Sequence, residues 1–418
     1  MAFQFYTLKS RLFFLAFFTA LLIQITSCEN RAVLTLGEWQ GELHLRDSVF
    51  MPFNFVIDEI EGDFVLTIVN GAETITLKFD DELSQQNHFV YHFDIFDTYL
   101  RFDVTGKDQI AGVFVNESRK DHKEIPFTAQ KINGVDQRQN DLKSTLFNGK
   151  WQVEFNFDNP GSYPAIGEFL EVNGIMIGTF RTETGDYRFL SGYAKDGKLR
   201  LSAFDGSHVF YFEAEYEADS LIGQFYSGSH WETKWYGIRN DTFELASPYE
   251  LTQLKTDDPI AFTKKDLNNQ EYIFPNEQVK NKVVIIQIFG SWCPNCLDET
   301  NFYNELYEKY ADRGLEIIAI GYEKQSRSKE RIERLNRYKE RMLINYPVLV
   351  GGEASKDAAS KDFPMFNAII SFPTSIFLNK KGEVVKIHTG FNGPGTGEVY
   401  DHYVERTTTM VEHMLEEH

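Results

Sequence analysis

The sequence predicts a multidomain protein: an N-terminal all-β region of two similar barrel- or sandwich-like units, followed by an α/β domain. Three observations carry this. Residues 33 to 240 are rich in aromatic and β-branched residues with recurring turn dipeptides. Within that region two short patterns recur at nearly one spacing. Beyond residue 258 strands alternate with helical patterns, the grammar of an α/β sheet. At 418 residues the chain also exceeds what one hydrophobic core supports.

The segment 1–27 reads as a targeting signal. Lys9 and Arg11 form a short positive region, and Leu12 to Ile23 is an apolar run of signal-peptide length. The run leads to Ile25-Thr26-Ser27-Cys28, which resembles a bacterial lipobox. That resemblance implies a lipoprotein signal peptide over 1–27 and a lipidated Cys28 as the first mature residue. Ordinary secretion, with Cys28 merely near a cleavage site, is the alternative. Loss of Lys9 and Arg11 takes the formal net charge from −20 to −22. So acidic a body excludes binding to nucleic acid or anionic headgroups by charge. Membrane attachment must then come from acyl chains, of which two or more anchor stably. A location in the cell envelope, facing the periplasm or the cell exterior, places the chain in an oxidising compartment.

In the β region, alternating stretches such as Phe64-Val65-Leu66-Thr67-Ile68-Val69 are separated by turns such as Asn70-Gly71, Asp196-Gly197 and Asp205-Gly206. Gly37-Glu38-Trp39-Gln40 matches Gly149-Lys150-Trp151-Gln152. Asp108-Gln109-Ile110-Ala111-Gly112-Val113-Phe114 matches Asp219-Ser220-Leu221-Ile222-Gly223-Gln224-Phe225, at an offset that differs from the first by a single position. Each match falls at the same place within its half. Two β units follow, 28–132 and 145–240, joined by a polar linker from Asn133 to Ser144; one larger barrel built from both halves is the alternative. Trp39 and Trp151 are expected in the cores where each unit closes, with ligand stacking as the other use of such residues. Gly206-Ser207-His208 and Gly228-Ser229-His230 read as solvated turns rather than the lining of a pocket.

A polar connector, Arg239 to Asp258, leads into the third domain, 258–418. Strands are predicted at Val283–Phe289, Leu315–Gly321, Pro347–Val350, Thr374–Leu378 and Val384–His388. Helices are predicted at Pro294 to Tyr310, Ser328 to Met342 and from about Gly397, with helices on both faces of the sheet. The charged run Lys329 to Arg341 reads as a solvated helix face. Between the first strand and helix stands Ser291-Trp292-Cys293-Pro294-Asn295-Cys296. A strand, a turn and a Cys-x-x-C opening a helix suit thiol–disulfide exchange, because the helix N-terminus favours the nucleophilic thiolate. With three cysteines in the chain, none remains for a structural disulfide. Zinc is disfavoured and no metal is expected, since four ligands are needed and no second cysteine pair follows.

Residues 258–418 resemble the TlpA/ResA-like branch of thioredoxin-fold thiol–disulfide oxidoreductases. The resemblance rests on Phe289-Gly290 and the Cys-x-x-C run, Glu299, Ser371-Phe372-Pro373-Thr374, and Lys381-Gly382-Glu383 at a hairpin turn. It implies that Cys293 attacks and Cys296 resolves the mixed disulfide, with no cofactor beyond this redox-active pair. It also implies a cis Pro373 facing the sulfurs, with Phe372 offering its backbone to an extended substrate, and Trp292 in the apolar apron. Bringing a thiol from about 8.5 to about 7 takes roughly 2 kcal/mol. A helix N-terminus gives about 0.3–1 kcal/mol, so hydrogen bonds from the Cys296 side must add to it. Pro294, without a donor, and Asn295, with a polar amide, tune that balance. Two departures stand out. Gln287 occupies the place of the buried aspartate of thioredoxin and cannot ionise, and Thr300 rather than proline follows Glu299. Glu299 is then either a proton carrier or a simple charge near the helix start.

The expected function is a lipid-anchored extracytoplasmic reductase of client-protein disulfides, supplied by a membrane electron donor such as a transmembrane thiol–disulfide reductase. A thiol peroxidase is argued against by Gly290, where a threonine is wanted. An oxidase or isomerase stays open because potentials on this scaffold span about 150 mV, roughly 7 kcal/mol. A ligand-binding β region with an accessory redox domain is the remaining alternative.

Overall fold

The computed structural model describes residues 34–85, 87–134, 144–256 and 258–417. The leader and Cys28 lie outside the described residues. Strands β1–β8 (Gly37–Arg46, Val49–Ile60, Asp63–Asn70, Glu73–Phe79, His88–Phe93, Thr98–Gly106, Gln109–Asn116, Glu124–Lys131) form an antiparallel meander that closes by pairing β1 with β8. Strands β9–β17 repeat the plan: β9 (Gly149–Phe155), β10 (Tyr163–Val172), β11 (Ile175–Thr182), β12 (Gly185–Asp186), β13 (Leu190–Lys195), β14 (Lys198–Phe204), β15 (Val209–Glu217), β16 (Ser220–Ser227) and β17 (Trp231–Arg239). Pairings of β9 with β17 and of β10 with β11 close eight of these into a second barrel, with two-residue β12 hanging on β11. The chain therefore makes two eight-stranded barrels rather than one large one.

Eight strands leave an interior that side chains can fill. Trp39, Phe53, Phe55, Tyr91, Phe102 and Phe127 fill the first; Trp151, Phe155, Phe180, Phe212 and Trp235 fill the second. The repeated tryptophans are fully buried in equivalent strands. Their indole N–H groups donate to equivalent carbonyls, Trp39 to Thr35 at 3.1 Å and Trp151 to Phe147 at 2.9 Å. The repeated glycines are both sterically required, though against different neighbours. A Cβ on Gly112 would lie 2.1 Å from the Arg101 carbonyl oxygen, and one on Gly223 2.1 Å from the Trp235 ring. The barrels join through Phe204, which wedges among Phe53, Phe93 and Phe114 with ring centroids 5.0–5.3 Å apart. Asn70 clasps the Phe204 backbone from the first barrel, accepting its N–H and donating to its carbonyl, both at 3.0 Å.

The third domain is a thioredoxin-like α/β unit. It comprises β18 (Phe262–Asp266), β19 (Glu271–Phe274), β20 (Val283–Phe289), α1 (Pro294–Tyr310), β21 (Leu315–Glu323), α2 (Ser328–Arg341), β22 (Val348–Glu353), α3 (Lys356–Asp362), β23 (Thr374–Leu378), β24 (Val384–Thr389) and α4 (Glu398–Glu416). Sheet order is β19-β18-β22-β21-β20-β23-β24, with β20, β21 and β22 parallel and the outer strands antiparallel. Side chains at alternate positions of β20 go to opposite layers, as the pleat requires. Val283, Ile285 and Phe289 pack with α1, α2 and α4; Val284, Ile286 and Ile288 pack with α3 and the β18–β19 hairpin. The hairpin and α3 escape the sequence reading because both are short and mostly polar.

Candidate active site

Every residue of β20 is buried, so the strand is a fixed base for the turn that leaves its C-terminal end. Gly290 begins the turn where a Cβ would meet the Trp292 indole nitrogen at 2.4 Å. Ser291 donates its N–H and hydroxyl to the buried Glu323 carboxylate at 2.9 and 2.8 Å. Arg334 of α2 donates to the Ser291 hydroxyl at 2.9 Å and carbonyl at 3.2 Å. Trp292 donates its indole N–H to the Tyr322 carbonyl at 2.9 Å. The turn is pinned to β21 and α2 before the cysteines begin.

Cys293 is the N-cap of α1, with extended backbone, and its Sγ takes the Cys296 N–H at 3.4 Å. That is the place where serine or aspartate oxygens usually satisfy a free helix donor. Pro294 follows at the first helical position, where its missing N–H costs nothing. Cys293 is 8% exposed and Cys296 is fully buried; both are thiols. Burial, then the Cys293 sulfur beside it, pushes the Cys296 thiol well above its ordinary range. The Phe372–Pro373 peptide is cis, and the Phe372 carbonyl oxygen lies 3.6 Å from the Cys293 Sγ. Trp292 meets the Phe372 ring edge-on at 5.9 Å.

Beneath the cysteines Glu299 is fully buried. Gln287 Nε2 and Ser375 Oγ donate to its carboxylate at 2.9 Å each, and the Tyr303 hydroxyl at 3.3 Å. Burial outweighs these three donors and pushes Glu299 up to about 7. Its charge is felt at Cys296. Gln287 thus serves as a donor to Glu299, which sits in the interior rather than at an open helix start.

Both barrels touch this site, a feature absent from the sequence reading. Asn295 donates to Asp186 Oδ1 and to the Phe391 carbonyl, each at 2.9 Å. The buried Arg188 guanidinium joins all three domains: it pairs with Glu73 at 2.6 Å, with Asp205 at 3.5 Å, and with Asp298 of α1 in a closer contact. Burial, opposed by Arg188, pushes Asp298 up to about 7. Ser207 donates to the Trp292 carbonyl at 3.0 Å, so Gly206-Ser207-His208 is a docking turn rather than a solvated one. The run Lys329 to Arg341 is likewise only partly solvated. Arg334 is buried and reaches Asp97 and the Ile95 carbonyl of the first barrel, while Arg337 and Arg341 pair with Asp97 and Asp94 at 2.7 and 3.1 Å. Lys324 holds its ammonium 4.8 Å over the Trp292 ring. The repeat carried a signal for these contacts, since Asp205 stands to Asp94 as Asp219 stands to Asp108.

Residues 256–403 match the family described as Redoxin. The match is to that segment alone. It leaves both barrels outside the match. Thiol-disulfide oxidoreductase ResA of Halalkalibacterium halodurans is 27% identical over 133 residues, covering 31% of this chain and 66% of that protein. This falls just short of two thirds of the relative's length. Sporulation thiol-disulfide oxidoreductase A of Bacillus subtilis is 24% identical over 147 residues, covering 35% of this chain and 79% of that protein. A solved thiol:disulfide interchange protein of the thioredoxin family from Chlorobium tepidum is 20% identical with a TM-score of 0.30, covering 38% of this chain and 96% of its own.

Proposed function

We propose that this protein is a lipid-anchored, extracytoplasmic thiol–disulfide oxidoreductase that reduces disulfides of client proteins through a Cys293/Cys296 cycle. One observation carries the reading. Cys293 caps α1 with its sulfur toward the Cys296 N–H and the Phe372 carbonyl, while Glu299 lies buried below. The relatives' names agree with that chemistry.

In the proposed cycle the Cys293 thiolate attacks one sulfur of the client disulfide, and the other sulfur leaves with the electron pair and takes a proton. Cys296 keeps its proton at this stage because burial holds its thiol up. Ionised Glu299 then receives that proton, directly or through water, and the Cys296 thiolate attacks Cys293. The second client thiolate leaves and is protonated, so the client gains the two electrons the dithiol loses. A membrane electron donor, such as a transmembrane thiol–disulfide reductase, restores the dithiol. Cys28 supplies the lipid anchor.

A Cys296→Ala variant should accumulate a covalent mixed disulfide through Cys293; recovery of free thiol alone would overturn the order of attack. The potential of the pair tests the direction of flow, with a value near about −270 mV supporting a reductase and one near about −120 mV an oxidase. Labelled fatty acid should mark the wild type and spare Cys28→Ala. Labelling of both refutes the lipobox.

A further inference from the structure

A Cys-x-x-C at the junction of a strand end and a helix start projects from the edge of its sheet, where a domain standing alone meets solvent. In this chain all four residues from Cys293 to Cys296 are buried. The second barrel covers them from two sides. On the first side, the connection between β11 and β13 runs along the loop after β24. Gly185 pairs with Phe391 in a parallel bridge, and Ser371 donates its hydroxyl to the Thr184 carbonyl at 3.4 Å. Asp186 Oδ1 accepts from Asn295 at 2.9 Å and from the Gly393 N–H at 2.8 Å. The fit leaves little slack, since a Cβ on Gly390 would stand 2.4 Å from the Thr184 carbonyl oxygen. On the second side, Ser207 holds the Trp292 carbonyl. The edge left open is the one bearing half-buried Trp292 and Phe372 and exposed Lys324.

Disulfide exchange needs the incoming sulfur to reach the Cys293 Sγ in line with its departing partner. A disulfide set in a folded protein arrives on a surface broader than this edge, and the barrel walls meet that surface first. A disulfide on a small or extended carrier does not bring such a surface. We propose that Thr184, Asp186 and Ser207 determine specificity for the Cys293/Cys296 couple, limiting it to disulfides on slender carriers. The inference rests on the redox reading above and narrows its clients.

The test uses full-length, pre-reduced protein in single turnover, so that the dithiol itself supplies both electrons. The probes are 2-hydroxyethyl disulfide and native insulin, each rate divided by that with dithiothreitol. The normalised rate on insulin should fall short of that on the small disulfide by about tenfold or more. Replacing Glu183 to Phe189 with an Asn-Gly turn, a two-residue connection like the one the first barrel uses after β3, should close most of that gap. Equal normalised rates in the wild type would overturn the proposal, and so would a gap the replacement leaves unchanged. The replacement also removes Arg188 and could prevent folding, so a second measurement uses the wild type alone. Iodoacetamide should alkylate Cys293 much faster than a maleimide carrying a polyethylene-glycol chain, relative to both reagents on free cysteine. The ratio of free cysteine would likewise overturn the proposal. If neither disulfide is reduced while iodoacetamide still reacts, the redox reading fails and the alkylation ratio alone decides access.

Discussion

The two barrels present the same turn to the redox domain and use it differently. In the first barrel the turn between β5 and β6 is Asp94-Ile95-Phe96-Asp97; in the second the turn between β14 and β15 is Asp205-Gly206-Ser207-His208. The first grips the flank of α2 through Arg334, Arg337 and Arg341, and Ile95 packs against the core beside it. The second reaches the turn that carries Cys293 itself. A further divergence sits at the strand pairs β3–β4 and β11–β13. The first pair is joined by Gly71 and Ala72 alone, the second by Glu183 to Phe189, which carries Asp186 and Arg188 to α1. One duplicated fold thus yields a clasp and a roof, and the difference lies in one lengthened connection and one changed turn.

If that division is right, the largest energetic asymmetry falls at Arg188. It is the cation that Glu73, Asp205 and Asp298 share, and all of these groups are withdrawn from water. Removing one partner of a buried pair leaves uncompensated charge. Arg188→Met should cost about 3–5 kcal/mol in urea unfolding. A cost within the range of surface pairs would mean that the second barrel does not depend on this junction.

The pH dependence should come next. Glu299 is raised from an ordinary 4.5 to about 7 by burial. Between those values the folded chain keeps a proton that the unfolded chain has lost. The stabilising contribution is therefore full below about 4.5 and lost as pH rises through about 7, roughly 3 kcal/mol in all. Asp298, raised for the same reason beside Arg188, acts in the same direction. Unfolding free energy should accordingly fall between about pH 4.5 and 7 and level off above, with Glu299→Gln and Asp298→Asn each flattening the slope. A slope unchanged in Asp298→Asn would remove the roof contact from the pH response.

Much of this arrangement was legible in the sequence, and the limit has a physical form. Period-two alternation and turn dipeptides exposed the barrels, and the near-constant offset between the two matched pairs exposed their number. Trp39 and Trp151 pack as fully buried closing residues because a repeated core position keeps its neighbours. The Cys-x-x-C, Gln287 and Glu299 were legible because one strand and the helix after it fix their mutual placement over a short stretch of chain. What stayed hidden are pairings across domains. Arg188 with Asp298, Asn295 with Asp186, and Ser207 with Trp292 lie far apart in the chain and follow no local period. Arg334 looked solvated because a charged helix reads as polar whichever of its faces docks.

The two turns themselves can be compared at the scale of single bonds. Ser207→Ala removes one hydroxyl donor from the Trp292 carbonyl, a part-buried neutral hydrogen bond at 3.0 Å. A loss of about 0.5–1.5 kcal/mol in unfolding free energy is expected. No loss at all would mean that the second turn rests on the Cys-x-x-C loop without holding it.

Arg341→Ala removes the outermost tie of the first barrel, its 3.1 Å pair with Asp94. Here both side chains are well exposed, at 43% and 39%. Water and salt screen such a pair, and holding two long side chains in place offsets most of the attraction. The cost should be at most about 0.5 kcal/mol and should vanish on adding salt to about 1 M, where the Debye length falls to roughly 3 Å. Buried Arg334 keeps its contacts to Asp97 and the Ile95 carbonyl in this variant, so the clasp should hold. A salt-insensitive loss above about 1 kcal/mol would show that the Asp94 turn is more than a surface tie. In that case the first barrel, like the second, would be fixed to the redox domain at a point it cannot release cheaply.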